Sequence, residues 1–102
     1  MIISSQRFID DETVQAKLAA KDFTVTLSPE FELAGERYQV VMDGHHSLEA
    51  AKVAGVDPVF TVATTQDSDR IYLLAQGAVE DFLEAVYMDS DWYDVADGVQ
   101  VW

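Results

Sequence analysis

Asp43-Gly44-His45-His46-Ser47 is where residues able to move protons and hold an anion fall side by side in this chain of 102 residues. A strand is expected to end at Asp43-Gly44 and a helix to begin directly after the turn. The first backbone N–H groups of a helix have no internal partner and carry the positive end of its dipole. The turn is therefore a natural seat for a phosphate or carboxylate, with Asp43, Gly44 and Ser47 as candidate anion- or nucleotide-binding positions. His45 and His46 are the candidate catalytic acid and base, because imidazole titrates near neutral pH. Gly44 lets a ligand approach the backbone closely. A purely structural reading uses the same residues, since Asp-Gly is a common turn and Asp43 or Ser47 can cap the helix. An Asp-His-His trio has the donors for a divalent ion, but adjacent histidines in a turn seldom face one ion. No metal and no other cofactor is expected.

A second group of residues with a chemistry of its own lies at the other end. Of 19 acidic residues, seven fall in residues 71–102: Glu80, Asp81, Glu84, Asp89, Asp91, Asp94 and Asp97. All six basic residues (Arg7, Lys17, Lys21, Arg37, Lys52 and Arg70) precede them. Ordinary surfaces intersperse the two signs, so a stretch with no base at all points to a use beyond solubility, although a solvated helix face is the plainer reading. On a helix, Glu80 and Glu84 stand roughly 6 Å apart with Asp81 beside them. That is comparable to the spacing of successive phosphates on a nucleic-acid strand, whose axial rise is about 3.4 Å per nucleotide before curvature is counted. Trp92 and Tyr93 interrupt the acids of Asp89–Asp94 and would give such a surface an aromatic anchor. The alternative for Trp92, Tyr93, Val95 and Trp102 is that they pack the tail back onto the sheet.

Both groups need elements to place them. Ile2 and Ile3 open an apolar stretch, and Asp10, Asp11 or Thr13 caps a helix over Val14–Ala20. Phe23, Val25 and Leu27 alternate with threonines as a half-buried strand does, and Pro29 ends it. Phe31 and Leu33, a turn at Ala34-Gly35-Glu36, and Tyr38, Val40 and Val41 read as a hairpin. Ser47 is expected to cap a short helix over Leu48–Ala54 that stops at Gly55. Val59–Ala63 is a further strand, Thr64–Arg70 a polar loop, and the longest helix is expected from about Ile71 to Tyr87. In that helix Tyr72, Ala75, Val79, Phe82, Leu83 and Val86 form the inner side. The order predicts a compact α+β domain, a small mixed sheet with helices packed on it.

Composition sets the outer limits. The length suits one domain spanning residues 1–102, and 49% hydrophobic with 25% charged residues is ordinary for a folded protein. With no cysteine there is no thiol catalysis, disulfide framework or Cys-ligated zinc. A net charge of −13 opposes direct nucleic-acid binding. No apolar run is long enough for a membrane span, and Met1–Glu12 lacks the pattern of a signal peptide, so a cytoplasmic protein without membrane contact is expected.

Residues 40–62, VVMDGHHSLEAAKVAGVDPVFTV, carry a resemblance. Gly44-His45-His46-Ser47-Leu48-Glu49-Ala50-Ala51 is similar in spacing to the Gly-Glu-Arg-Arg turn followed by two variable residues and Ala-Ala in the ParB/sulfiredoxin superfamily. Asp43–His46 also matches the Asp-Gly-His-His-Arg turn of small members. In sulfiredoxin-like members the turn is Gly-Cys-His-Arg, which sets His45 at the cysteine and His46 at the histidine. Ala54-Gly55 and the strand after Asp57-Pro58 fit the same pattern. The resemblance implies a strand, turn and helix forming a phosphate or nucleotide pocket. Two departures count against activity: Ser47 replaces the arginine that makes the strongest phosphate contact, and no cysteine is present. The helix-turn-helix that follows in partition proteins is replaced here by the acidic third.

Two functions follow. One is a non-enzymatic, degenerate ParB-like accessory protein, of the kind found in phages and plasmids, that binds a basic, nucleic-acid-binding protein through its acidic C-terminal face as a nucleic-acid mimic. The other is a nucleotide-binding or phosphoester-hydrolysing enzyme using Asp43–Ser47. The first is favoured, because the turn has lost its cation while the surface has gained charge. The aromatic C-terminus leaves a homodimer open.

Overall fold

The computed structural model describes residues 1–102. Alternating apolar residues and threonines build strand β2 (Thr24–Leu27), whose Val25 and Leu27 are buried. Before it lie β1 (Ile2–Ser4) and helix α1 (Asp11–Ala20). Asp10 takes the N-cap position of α1 with extended backbone, and its carboxylate accepts the Thr13 hydroxyl at 2.6 Å. After it come the expected hairpin partners, β3 (Phe31–Leu33) and β4 (Glu36–Asp43). Next are α2 (His45–Ala54), which ends at Gly55, and β5 (Val59–Val62). The chain closes with α3 (Ile71–Ala75), α4 (Val79–Ala85) and β6 (Tyr93–Asp94).

The six strands form one mixed sheet in the order β5-β2-β4-β1-β6, with β3 on the first half of β4. β4 is parallel to β1 and antiparallel to β2 and β3. β2 and β3 share one edge of β4, and Ser28 bridges the step between them. Its N–H donates to Val40 O at 2.8 Å and its Oγ accepts the Val40 N–H at 2.9 Å. Both faces of the sheet carry apolar side chains. Val25, Leu27 and Val41 form one buried cluster with Leu48 of α2 against it, and α1 packs on α2. Ile3, Phe31, Tyr38 and Val40 meet Ile71, Phe82, Leu83 and Val86 on the other. The architecture is therefore α+β, a mixed sheet with helices packed on it.

Three local expectations are corrected. The single long helix over Ile71–Tyr87 is two short ones, because Gly77 takes a left-handed conformation (φ 77°) and closes α3. There the Gly77 N–H donates to Leu74 O and the Ala78 N–H to Leu73 O, the paired bonds that end a helix at a C′ glycine. The break leaves Tyr72 and Ala75 exposed rather than on the inner side. The helix after Gly44 begins at His45, so the two histidines belong to its first turn, and Ser47 lies inside it as a buried residue rather than its cap.

Residues 88–102 are held by the N-terminal segment, 80 and more positions away in sequence. Asp89 accepts the Arg7 N–H at 2.8 Å, and Ser5 Oγ accepts the Met88 N–H at 2.8 Å. The Arg7 guanidinium sits 4.0 Å from the Tyr93 ring centroid and donates to Gly98 O at 2.8 Å. Trp102 meets Tyr38 edge-to-face at 5.3 Å and Trp92 at 6.2 Å.

Candidate functional site

β4 delivers Asp43 to the sheet end, and Gly44 turns the chain into α2 with φ 93°. The reason for glycine here is packing. A Cβ at position 44 would lie 2.6 Å from Thr24 O and 3.0 Å from Val25 Cα, so the turn is pressed against β2 on that side, while an open cleft of about 360 Å³ lined by Asp43, Gly44, His45, His46 and Lys17 lies beside it. Asp43 is exposed, and its Oδ1 accepts the Gly44 N–H at 2.8 Å.

The histidines face different partners. His45 Nε2 lies 2.6 Å from Ser4 Oγ of β1. Ser4 Oγ also accepts the Gln6 N–H at 3.0 Å, so the hydroxyl joins both groups, and which of Ser4 and His45 donates across their contact is set by the imidazole tautomer. Burial pushes the His45 imidazole down from 6.5 to about 4, helped by the neighbouring His46 and opposed by Asp43 and Asp89. His46 Nε2 accepts the Asp10 N–H at 3.1 Å and so ties the start of α1 to the start of α2.

This arrangement is ill suited to acid-base catalysis. A general base works best with a pKa near the operating pH, whereas His45 is neutral and weakly basic at pH 7. Its Nε2 is engaged with Ser4, a residue only 1% exposed, so the short Ser4–His45 contact is a strut between β1 and α2 rather than a nucleophile and its base. Ser47, expected at an anion seat, is also 1% exposed and turned inward, where its hydroxyl adds to the environment of Asp22. The Asp22 carboxyl is held below its usual range chiefly by Lys17, 3.0 Å away, and by the Thr24 N–H. Asp43, His45 and His46 do not converge as a set of metal ligands.

The seven C-terminal acids divide into two kinds. Glu80, Asp81, Glu84 and Asp91 are exposed and take part in no ion pair. Asp89, Asp94 and Asp97 instead hold backbone N–H groups, those of Arg7, Ala96 and Val99 respectively. Trp92 and Tyr93, read as exposed anchors, are half-buried. Trp92 packs on the main core, and the Tyr93 hydroxyl donates to Gln6 O. The partner-facing set is thus smaller than the charge run suggested.

Two residues outside the expected sites join them. Glu32 of β3 lines a groove of about 440 Å³ together with Glu80 and Asp81, so a third carboxylate reaches the acidic face from a distant element. Arg70 lines an open cleft of about 610 Å³ with Asp43, Thr26, Thr61 and Ser68. It forms no salt bridge, and its Nε donates to Ser68 Oγ at 3.3 Å. One signal for Arg70 was legible, its place as the last base before the acidic third. None existed for Glu32, whose position depends on β3 lying beside α4.

Comparison with known proteins finds no matching family model, no matching curated protein and no matching solved structure.

Proposed function

We propose that this chain is a non-enzymatic ParB-like accessory protein, of the phage or plasmid type, that binds a basic protein partner through an acidic face. The observation that carries the reading is the groove between β3 and α4. Glu32, Glu80 and Asp81 line it, Glu84 stands one helical turn beyond Glu80, and no cation offsets Glu80, Asp81 or Glu84. Unpaired carboxylates at this density create a negative potential that speeds the approach of a cationic surface, and a groove lined by them suits an inserted Arg or Lys side chain. A nucleic-acid-binding protein has such a surface, so the acidic face would act as a mimic of nucleic acid in the cytoplasm. The resemblance of residues 40–62 to the superfamily supplies the ParB-like part of the proposal. The engagement of both histidines by Ser4 and Asp10 supports the non-enzymatic part.

Reversing Glu80, Asp81, Glu84 and Asp91 together to lysine is expected to weaken partner binding at least about 100-fold with the fold retained, because all four side chains are exposed and form no ion pair, at a cost of roughly 1–2 kcal/mol from placing lysines in the first turn of α4. Cross-linking in host cytosol with mass spectrometry, followed by titration of the captured protein between about 50 and about 200 mM salt, checks both points. Capture of a partner that is not basic, or binding that survives the reversal, overturns the reading.

Arg70 favours a second reading, binding of a nucleotide or other phosphoester. A guanidinium with no carboxylate partner, in a chain with 19 acids, lines a cleft whose size suits a small ligand. A phosphate would sit on Arg70 and a ribose hydroxyl or amine on Asp43, which displaces the expected anion seat from Gly44 and Ser47 to the other side of Asp43. Isothermal titration with the common nucleotides should give heat that Arg70→Ala removes; no heat from the unaltered protein ends this reading.

A further inference from the structure

The outermost strand, β5, is unpaired along one side and uncovered on both faces. All four of its residues are exposed, with Val59, Phe60 and Val62 at 59%, 44% and 55%. It pairs only with β2, in parallel. The Val59 N–H donates to Phe23 O at 2.8 Å and the Ala63 N–H to Leu27 O at 2.7 Å. Since strand residues alternate in direction, Thr61 also faces β2, while Phe60 and Val62 turn their N–H and C=O groups outward. Natural edge strands are usually protected by a charge, a proline or a bulge. Residues 59–62 have none of these, and no charged residue occurs between Asp57 and Asp67.

We propose that two copies of this chain associate by antiparallel pairing of β5 with β5 about a two-fold axis at Thr61. The register is self-complementary. Phe60 meets Val62 of the second copy and exchanges both backbone hydrogen bonds with it, and symmetry repeats the exchange, giving four bonds. Phe60 and Val62 lie on the same face of the strand, that of Val25 and Leu27, so each apolar side chain finds an apolar partner. The apolar edge rather than charge favours a second copy, since Phe60 and Val62 match each other across the two-fold axis. A cationic protein is drawn to the acidic face elsewhere, whereas β5 offers it nothing ionic. In this register Asp57 falls opposite Thr65 and Asp67 opposite Gly55, so two chains of net charge −13 meet without like charges in contact. A four-residue edge is small beside the roughly 800 Å² per partner of a standard interface, so the dimer is weak, with a Kd of about 10–100 μM.

The test joins sedimentation equilibrium to cross-linking. The unaltered protein should be monomeric at about 1 μM and mainly dimeric at about 500 μM. Val62→Pro removes only an outward N–H, which an edge strand tolerates, and Val62→Glu puts a carboxylate against Phe60; each should raise Kd at least about tenfold. Circular dichroism confirms that both variants fold. Thr61 of each copy lies directly opposite the other in a non-hydrogen-bonded pair, about 4.5 Å between Cα atoms, within disulfide range. Thr61→Cys in this cysteine-free chain should therefore oxidise to a covalent dimer at least about tenfold faster than Ala19→Cys on the exposed side of α1. A monomer at every concentration with equal oxidation rates, or a dimer that both Val62 variants leave intact, overturns the proposal.

Discussion

Gly44→Ala is expected to destabilise the protein by about 3–5 kcal/mol, a larger loss than any exposed substitution considered above. Two costs combine. The backbone at φ 93° lies where an L side chain is strained by about 1–3 kcal/mol. The new methyl would also meet Thr24 O at 2.6 Å, and that oxygen belongs to β2, which is held between β4 and β5 and cannot move aside alone. Urea denaturation should show the loss directly, and the melting temperature should fall by about 15 °C or more. Gly77→Ala is the matched control: it carries a similar dihedral, φ 77°, but nothing lies within 4 Å of its Cβ, so it should cost only about 1 kcal/mol. Equal losses at the two positions would mean that the approach of the turn to β2 contributes nothing.

The second large effect is a fall in stability as the pH is lowered from about 6.5 to 4, traced to His45. Its imidazole titrates at 6.5 when the chain is unfolded and at about 4 when it is buried against Ser4. Between these values the unfolded chain binds more protons, so stability rises with pH through this window, is complete above 6.5, and is lost as pH falls towards 4. The full linkage amounts to about 3 kcal/mol, and partial solvent access at His45 brings it to about 2 kcal/mol. Other groups titrate nearby, and neutralising carboxylates in a chain of charge −13 relieves repulsion in the opposite sense. The measurement is therefore a difference between the unaltered protein and His45→Gln, whose amide keeps a hydrogen bond to the Ser4 hydroxyl without titrating. Stabilities from urea titrations at half-unit pH steps should agree near pH 7 and separate by about 2 kcal/mol towards pH 4, with the unaltered protein the less stable. Parallel profiles would refute the assignment.

These two effects share residues that were legible as special but for another reason. Asp43–Ser47 stands out on residue type, and types alone suggest an anion seat with a catalytic imidazole. What the types cannot show is which strand lies against Gly44, or that Ser4, 41 positions earlier, takes up the His45 nitrogen. The charge run behaved alike. Glu80, Asp81, Glu84 and Asp91 are free as the run suggested, whereas Asp89 is bound to the Arg7 N–H across 82 positions. A carboxylate on a predicted surface looks the same in sequence whether it faces water or holds a distant backbone group.

Sequence by itself determined the α+β class, the order of the elements as far as β5, the end of α2 at Gly55 and the concentration of charge in the last third. Each is written in near-neighbour information, an apolar period of two or a glycine or proline at a boundary, and near neighbours remain neighbours in any fold. Only the tertiary structure decided that Ser47 is buried, that Glu32 joins Glu80 and Asp81, that Trp92 packs inward, and that β5 is left with an open edge. Those outcomes depend on strand order and on pairs many residues apart. The free energy of such contacts comes from surfaces that do not exist until the sheet has formed.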